Sequence, residues 1–430
     1  MVGEAEDKCG MQSDCDIAII GAGAAGLTAA IFAAQTARAA GRSPRIVLLD
    51  GAKVIGAKIL VAGGGRCNVT HHQVQARDYF GPTNTIKNIL KSFTVEQTVA
   101  WFASMGVELK REETGKLFPI TDFARTVVEA LLGRVAALGI DLRTEHRVRD
   151  VERCEGYFQI DHLTGMLRAE RVVLATGGRS LPRTGSDGTG WSIARRLGHS
   201  VSETHQALVP LVLDEDFFHV ELSGIAMESS LSVWVDGKKV DERTGSLLWT
   251  HFGVSGPVVM DASRVWTEAN DLGHEVRLVV NLLPGMSFDE VEGAMVRVGG
   301  AEPKRTVGSF LREKFPERLT AALCEHAGID PTDPLSQLPR ERRRAVVHGL
   351  VHLVLPVVGP RGWNYAEVTA GGIPLSEIDR KTMASRLVPG LYLVGEILDV
   401  EGRIGGFNFQ WAWATGYLAG TAAGCENLEA

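Results

Sequence analysis

The stretch CDIAIIGAGAAGLTAAIFAAQTAR, residues 15–38, decides the fold. Residues 17–20 form a short apolar run suited to a strand buried on both faces. Gly21, Gly23 and Gly26 then fit G-x-G-x-x-G, and an alanine-rich helix is expected from about Leu27. Gly21 permits a tight turn, Gly23 lets backbone approach a pyrophosphate, and Gly26 lets the helix pack on the strand. The phosphates would rest on the N–H groups and positive dipole end of the new helix, beside Ala24. A second apolar run, RIVLLDGA at 45–52, ends in Asp50 and Gly51. A carboxylate there accepts hydrogen bonds from an adenosine ribose. Strand, glycine turn, helix and acidic strand end together specify a dinucleotide site.

A nicotinamide dehydrogenase would continue with further strand–helix units after Asp50. This chain instead runs GAKVIGAKILVAGGGRCNVTHH, residues 51–72, an irregular or briefly helical excursion. Order returns with an expected helix at 124–138 and a strand around 142–151 that includes Val148. Short alternating strands follow, GYFQIDHL and MLRAERVVLATGG, ending in Ala175, Thr176, Gly177 and Gly178. A meander and a returning strand that ends in ATGG resemble the FAD domain of the glutathione-reductase-like flavoproteins. That resemblance implies that Val148 and the residues Ala175, Thr176 and Gly177 pass close to the cofactor. It also places a late strand end, here Gly395 and Glu396, at the ribityl chain. Gly405, Gly406, Phe407 and Asn408 then open a helix that continues QWAWATGYLAG, with Trp411 and Trp413 expected in the core. A helix N-terminus aimed at the pyrimidine side of a flavin would stabilise negative charge there.

GAKILVAGGGRCNVT, TGSDGTGWSIARRLGH, HFGVSGPVVMDAS, AEVTAGGIPLSEI and VGEILDVEGRIGGFNFQWAWATG carry a sharper resemblance. Together they resemble the BaiN-like, or aminoacetone-oxidase-like, flavoproteins of bacteria, over nearly the whole chain. What this implies is an α/β protein with non-covalent FAD in a discontinuous Rossmann-type domain. That domain holds an inserted β-barrel-like domain, which carries a small nested helical domain. The expected boundaries are 15–205 and 361–425 for the FAD domain, 206–285 and 348–360 for the inserted sheet domain, and 286–347 for the helices. Alternation in SSLSVWVDGKKV and EVRLVVNLL supports strands through 206–283, and SFDEVEGAMVRV opens the helical stretch. Where the family shows proline and threonine before the double glycine, this chain has Arg403 and Ile404. Arg403 either adds positive potential near the flavin or faces solvent.

With FAD placed, the glycines 63–65 read as a loop whose N–H groups approach the cofactor where side chains would collide, Gly64 foremost. Lys58 and Arg66 either neutralise pyrophosphate and reduced flavin or are ordinary solvated charges. Cys67 and Asn68 follow at once. Disulfide reductases place a redox cysteine pair at this point, but no residue from Asn68 to His72 supplies a second thiol. Cys67 is therefore expected as a wall of the flavin site, a weak catalytic candidate that cannot store two electrons as a disulfide. His71 and His72 are expected to be capping or solvated. His251, on an expected turn of the inserted domain, is either a proton donor at the interdomain cleft or a structural histidine. Tyr365 and Glu367 are placed to line the same cleft.

At 430 residues with 45% apolar, 23% charged and a net charge of −7, the chain reads as a soluble protein of two or three domains. The basic run RERRRAVVHG at 340–349 reads as a solvated helix face, so neither nucleic acid nor membrane is expected as a partner. Six scattered cysteines form no CxxC pair, which excludes a disulfide framework and leaves no metal site. A reducing, cytoplasmic setting is the default, and oligomeric state is left open. The expected function is FAD-dependent two-electron transfer at flavin N5 on a small organic substrate. The resemblance implies NAD(P)H-dependent enone reduction or amine oxidation. There is no second G-x-G-x-x-G after a strand, so NAD(P)H would dock transiently. The alternatives are a flavin-binding regulatory module without turnover and, weaker for want of a basic face, an RNA-modifying flavoprotein.

Overall fold

The 15–38 stretch forms the strand Cys15–Ile20 and the helix Ala24–Ala39 in a computed structural model that describes residues 13–425. The helix starts three residues earlier than expected because the turn over Gly21 is tight, with Gly23 as its N-cap. Two compact units emerge by internal contacts. One comprises the residues up to Thr204 and from Thr369 onward; the other is His205–Val368.

In the first unit four strands lie parallel in the order Asp141–Arg143, Ile46–Leu49, Cys15–Ile20, Gly165–Leu174. The last of these is ten residues long and serves two partners on its far side. Its first half pairs antiparallel with Phe158–His162, which pairs in turn with Val148–Arg153. Its second half pairs parallel with Leu391–Leu393, from the far end of the chain. The single strand expected around 142–151 is thus two strands on different partners. The chain turns between them at Glu145, whose φ is 59°.

The two ends of this unit are locked by small residues. The last helix, Phe407–Cys425, lies along Ala24–Ala39. An added Cβ on Gly416, Gly420 or Gly424 would sit 2.6, 2.4 or 2.5 Å from the carbonyl oxygen of Ala25, Ala29 or Ala33. A four-residue spacing on both helices keeps each set on one face, so backbone meets backbone over two turns. Arg42 caps the far end by donating to the Gly424 and Cys425 carbonyls at 2.6 and 2.8 Å, and Arg171 donates to Ala423. At the near end Gln410 is buried with both its amide oxygen and its amide nitrogen bonded. It accepts from the hydroxyls of Thr70 (2.7 Å) and Thr98 (3.0 Å) and donates to the Phe93 carbonyl (2.8 Å). Trp411 and Trp413 are core residues whose indole N–H groups reach the carbonyls of Gly395 and Val69.

The second unit holds a seven-stranded antiparallel sheet. Its order is Leu353–Leu355, Val276–Asn281, Ala226–Val235, Lys238–Thr250, Gly253–Ser255, Leu211–Leu213, Val357–Pro360. The end strands do not pair, so the sheet is not closed. Yet Leu355 and Val357, on opposite edges, are separated by Pro356 alone. At about 4.8 Å per strand a flat sheet would hold its edges about 29 Å apart. Two Cα steps reach only about 7.6 Å. The sheet therefore curls until its edges are neighbours, barrel-like but without a hydrogen-bonded seam.

The expectation of strands throughout 206–283 is corrected by a 15-residue helix, Pro257–Asp271. It begins as helices often do, with Pro257 in the first turn after Gly256 at φ 91°. The helices Phe288–Ala301, Glu317–His326 and Arg340–Val351 insert Val291, Met295, Leu319, Leu323 and Val347 into the same apolar cluster as the sheet. The basic run is the exposed side of the last of these. Among the described residues no helix is long and apolar enough to cross a membrane.

Candidate functional site

Every residue expected to bind the cofactor falls in the first unit, whereas His251 lies exposed on a turn of the second. At the glycine turn the three motif residues separate cleanly. A Cβ on Gly21 would lie 2.4 Å from the Ala175 carbonyl oxygen, and one on Gly26 would lie 1.8 Å from that of Gly21. One on Gly23 would meet nothing within 4 Å. Gly21 and Gly26 are therefore required by packing, and the open room is over Gly23, at the start of the helix beside Ala24.

Asp50 fixes this turn from the neighbouring strand. Its Oδ2 accepts from Ala22 N and its Oδ1 from Ala52 N, both at 2.7 Å. Gly51 is pressed on the Arg147 side chain, and Arg147 in turn holds Asp187 and Thr189. Burial pushes the Asp187 carboxyl up, but the bonds from Thr189 and the Arg147 charge bring it below the usual carboxylate range. Val148 is buried at the start of the meander beside them. Ala175 and Gly177 follow the long strand as expected. Thr176 between them has its Oγ1 buried without a hydrogen-bond partner.

A polar hub comes next, and two of its members had no signal in the sequence. Glu396 Oε2 is paired with Lys58 Nζ at 2.6 Å, and its Oε1 accepts from Ser180 Oγ (2.8 Å) and Thr369 N (3.0 Å). Lys58 also donates to Ser180 Oγ at 2.8 Å. Ser180 and Thr369 are fully buried, and the Thr369 hydroxyl accepts from the N–H groups of Arg179 and Ser180. Gly178 exists for this hub: a Cβ there would come within 2.6 Å of Thr369 Oγ1 and 2.8 Å of Glu396 Oε1. Lys58 is thus a held cation rather than a solvated one.

At the third segment the helix Ala57–Gly65 breaks its own geometry from Ala62. Gly63, Gly64 and Gly65 take φ of 57°, 68° and 85°, and Cys67 follows at 61°. Gly63 packs on Phe118 while Gly64 is open, with nothing within 4 Å of an added Cβ. Arg66 turns to Glu112 (2.5 Å) and Asp122 (3.6 Å) and stacks on Phe118 at 4.1 Å, anchoring the loop. Cys67 is fully buried, and burial pushes its thiol far above the usual range, so it stays a neutral thiol. His71 stacks on Phe407, and both His71 and His72 reach backbone carbonyls.

Asn68 brings this loop to the start of the last helix. Its Oδ1 is buried with no hydrogen-bond partner, and a Cβ on Gly406 would lie 2.8 Å from it. Phe407 is held through its carbonyl by the Tyr79 hydroxyl at 2.7 Å. Asn408 spends its amide on Gly402, accepting from N at 2.8 Å and donating to O at 2.9 Å. What these residues offer a ligand is therefore backbone, the first-turn N–H groups and positive end of the helix. Arg403 is half exposed and pairs with Asp78 at 3.6 Å.

These features fit an extended dinucleotide: open glycines at Gly23 and Gly64, two helix starts, and buried polar atoms on Thr176 and Asn68 that lack partners. Among the described residues no group of three or more His, Cys, Asp and Glu could hold a metal ion.

The HI0933-like protein Rossmann domain model matches residues 15–422. The chain is 35% identical to the 3-dehydro-bile acid delta(4,6)-reductase of Clostridium scindens over 408 residues, 95% of this chain and 98% of that protein. It is 33% identical to the ribosomal RNA dihydrouridine synthase of Escherichia coli K12, covering 94% of this chain and 96% of that one. A solved structure, the 3-ketosteroid-delta4-(5alpha)-dehydrogenase of Rhodococcus jostii RHA1, aligns over 97% of this chain and 98% of that chain. Its TM-score is 0.49 and its identity 16%, too distant to bear on activity. With a family match across almost its whole length and full-length relatives above 30% identity, the chain belongs to the HI0933-like Rossmann family of FAD-dependent oxidoreductases.

Proposed function

We propose that this enzyme reduces a carbon–carbon double bond conjugated to a carbonyl group in a small organic molecule, with NAD(P)H as a transient donor. The observation that carries the reading is the state of Cys67. A fully buried, neutral thiol is neither a nucleophile nor half of a dithiol relay, so electrons pass directly to whatever docks at the site. Bound FAD would supply the two-electron hydride chemistry. The substrate gains that hydride at its β-carbon and a proton at its α-carbon, while NAD(P)H becomes NAD(P)+.

This chain's own residues have distinct tasks in that reading. Gly23 and Gly64 leave room for the cofactor, and Asp50 holds the glycine turn. Glu396 and Ser180 fix Lys58, and the first turn of Phe407–Cys425 presents positive potential. His251, exposed beside Phe252, is the proton-donor candidate.

The relatives' names share one chemical feature, because a delta(4,6) bond in a 3-dehydro compound and the 5,6 bond of a uracil are both conjugated to a carbonyl. Neither name concerns amine oxidation. The RNA reading has the dihydrouridine synthase relative in its favour. Charge favours the small molecule: residues 205–368 carry 16 Lys and Arg against 23 Asp and Glu, the whole of the chain's −7. An RNA-binding face would be expected to be basic.

The test is anaerobic. FAD-loaded protein is reduced with NADPH or NADH and then given a 3-oxo-Δ4 steroid or a uridine-containing ribosomal RNA fragment. Bleaching by a nicotinamide, and recovery of colour with one saturated ketone formed per flavin, is the expected result. Recovery with RNA alone replaces the small-molecule reading, and no bleaching with either nicotinamide removes the donor.

A further inference from the structure

Within the second unit Arg361 is held by two aromatic rings. Arg243, Arg264, Arg305, Arg312 and Arg343 each hold a carboxylate. Arg361 has no acidic or hydrogen-bonding partner for its side chain among the described residues. Its guanidinium lies instead between two rings, 3.8 Å from the centroid of Phe252 and 3.8 Å from that of Tyr365.

The backbone builds this arrangement from two loops tied to one strand. Arg361 N donates to the Pro210 carbonyl at 2.9 Å, just before Leu211–Leu213. Leu213 N donates to the Phe252 carbonyl at 3.1 Å, fixing the turn that carries the first ring. Tyr365 N and Ala366 N both donate to Gly362 O, at 2.9 and 3.2 Å, which folds the second ring back over the guanidinium. Tyr365 is about half exposed (47%), so the clamp opens at the surface.

Two rings with centroids 3.8 Å from the guanidinium carbon of a planar cation leave its edge as the polar surface. That edge carries up to five N–H donors in a fixed fork, the shape that carboxylate and phosphate oxygens match. Stacking also orders the side chain in advance, which lowers the entropy lost when a ligand binds. The unit has an excess of seven acidic residues, yet this cation is held by rings and not by a carboxylate.

We infer that Arg361, clamped between Phe252 and Tyr365, is an oxyanion-binding site that takes the carboxylate of a small organic acid or the phosphate of a nucleotide. The test is equilibrium binding to the FAD-loaded full chain, so it does not depend on turnover or on the reductase reading. Two pairs of probes separate the sources: a 3-oxo-Δ4 steroid acid against its methyl ester, and NADPH against NADH. In one pair the member with the additional oxyanion, the steroid acid or NADPH, should bind at least about tenfold tighter than its partner. Arg361→Met should bring that ratio to within about threefold, with binding of the methyl ester or of NADH and the melting temperature unchanged. Should Arg361→Met not fold, Arg361→Lys keeps the charge without the fork and should give an intermediate ratio. A preference that Arg361→Met, or failing that Arg361→Lys, leaves intact, or no preference in either pair of the unmodified protein, overturns the proposal.

Discussion

At Gly416, Gly420 and Gly424 an added methyl group would meet the first helix's backbone at 2.4 to 2.6 Å, whereas at Gly23 and Gly64 it would meet nothing within 4 Å. The same residue type serves opposite ends. Along the last helix the missing side chain is filled by protein, and the glycine belongs to the fold. At the two cofactor turns it is filled by nothing in the chain, and the glycine belongs to the ligand. Polar groups divide the same way: Gln410 has every partner inside the protein, while Thr176 Oγ1 and Asn68 Oδ1 have none.

The largest effect should come from the filled positions. Gly420→Val forces the two helices apart and should cost about 3 kcal/mol, seen as a lowered denaturation midpoint with FAD absent and with FAD bound. A loss under about 1 kcal/mol would show that the helices separate freely, and the comparison would break there. Gly23→Ala sharpens the other half, because the φ of −80° at this position accepts alanine. FAD-free stability should stay within about 0.5 kcal/mol. FAD binding should weaken about tenfold or more, near 1.4 kcal/mol, by fluorescence titration. Equal losses in both would make the room over Gly23 a feature of packing.

The smallest effect tests an internally satisfied polar group. Glu377 accepts from Ser200 and pairs with His199 at 2.7 Å. Burial would raise its carboxyl, but the bonds from Ser200 and His199 hold it below the ordinary 4.5. A depressed carboxylate contributes stability that is present above its unfolded value and lost as pH falls through its folded one. Stability should therefore decline from about pH 4.5 downward, by about 1 kcal/mol or less from this group, and Glu377→Gln should flatten that part of the curve. An unchanged slope in the variant would remove Glu377 from the comparison.

Much of the first unit was legible because its determinants are local. G-x-G-x-x-G, Asp50 at a strand end, ATGG and the double glycine before the last helix each announce a backbone geometry within a few residues. What was not legible depends on residues far apart in the chain. The Lys58–Glu396 pair spans 338 positions, and nothing near Thr369 marks it as that carboxylate's backbone donor. Arg66 reads as a cofactor cation until Glu112 and Phe118 are brought beside it. Pro257–Asp271 was hidden by the β-branched run after His251, although Gly256 followed by Pro257 is a start signal for a helix. Thr94 and Gln97 likewise form a reciprocal cap for the helix Val95–Ala103, a pair readable from spacing alone.

The stripe that binds the last helix to the first has a consequence for biosynthesis. A ribosome that has just made Ala24–Ala39 must add about 380 further residues before Gly416, Gly420 and Gly424 can reach it. The insertion, finished at Val368, is free to fold on emergence. Flavin capture therefore waits for the last helix, and until that helix is made the alanine face of the first stays without its cover.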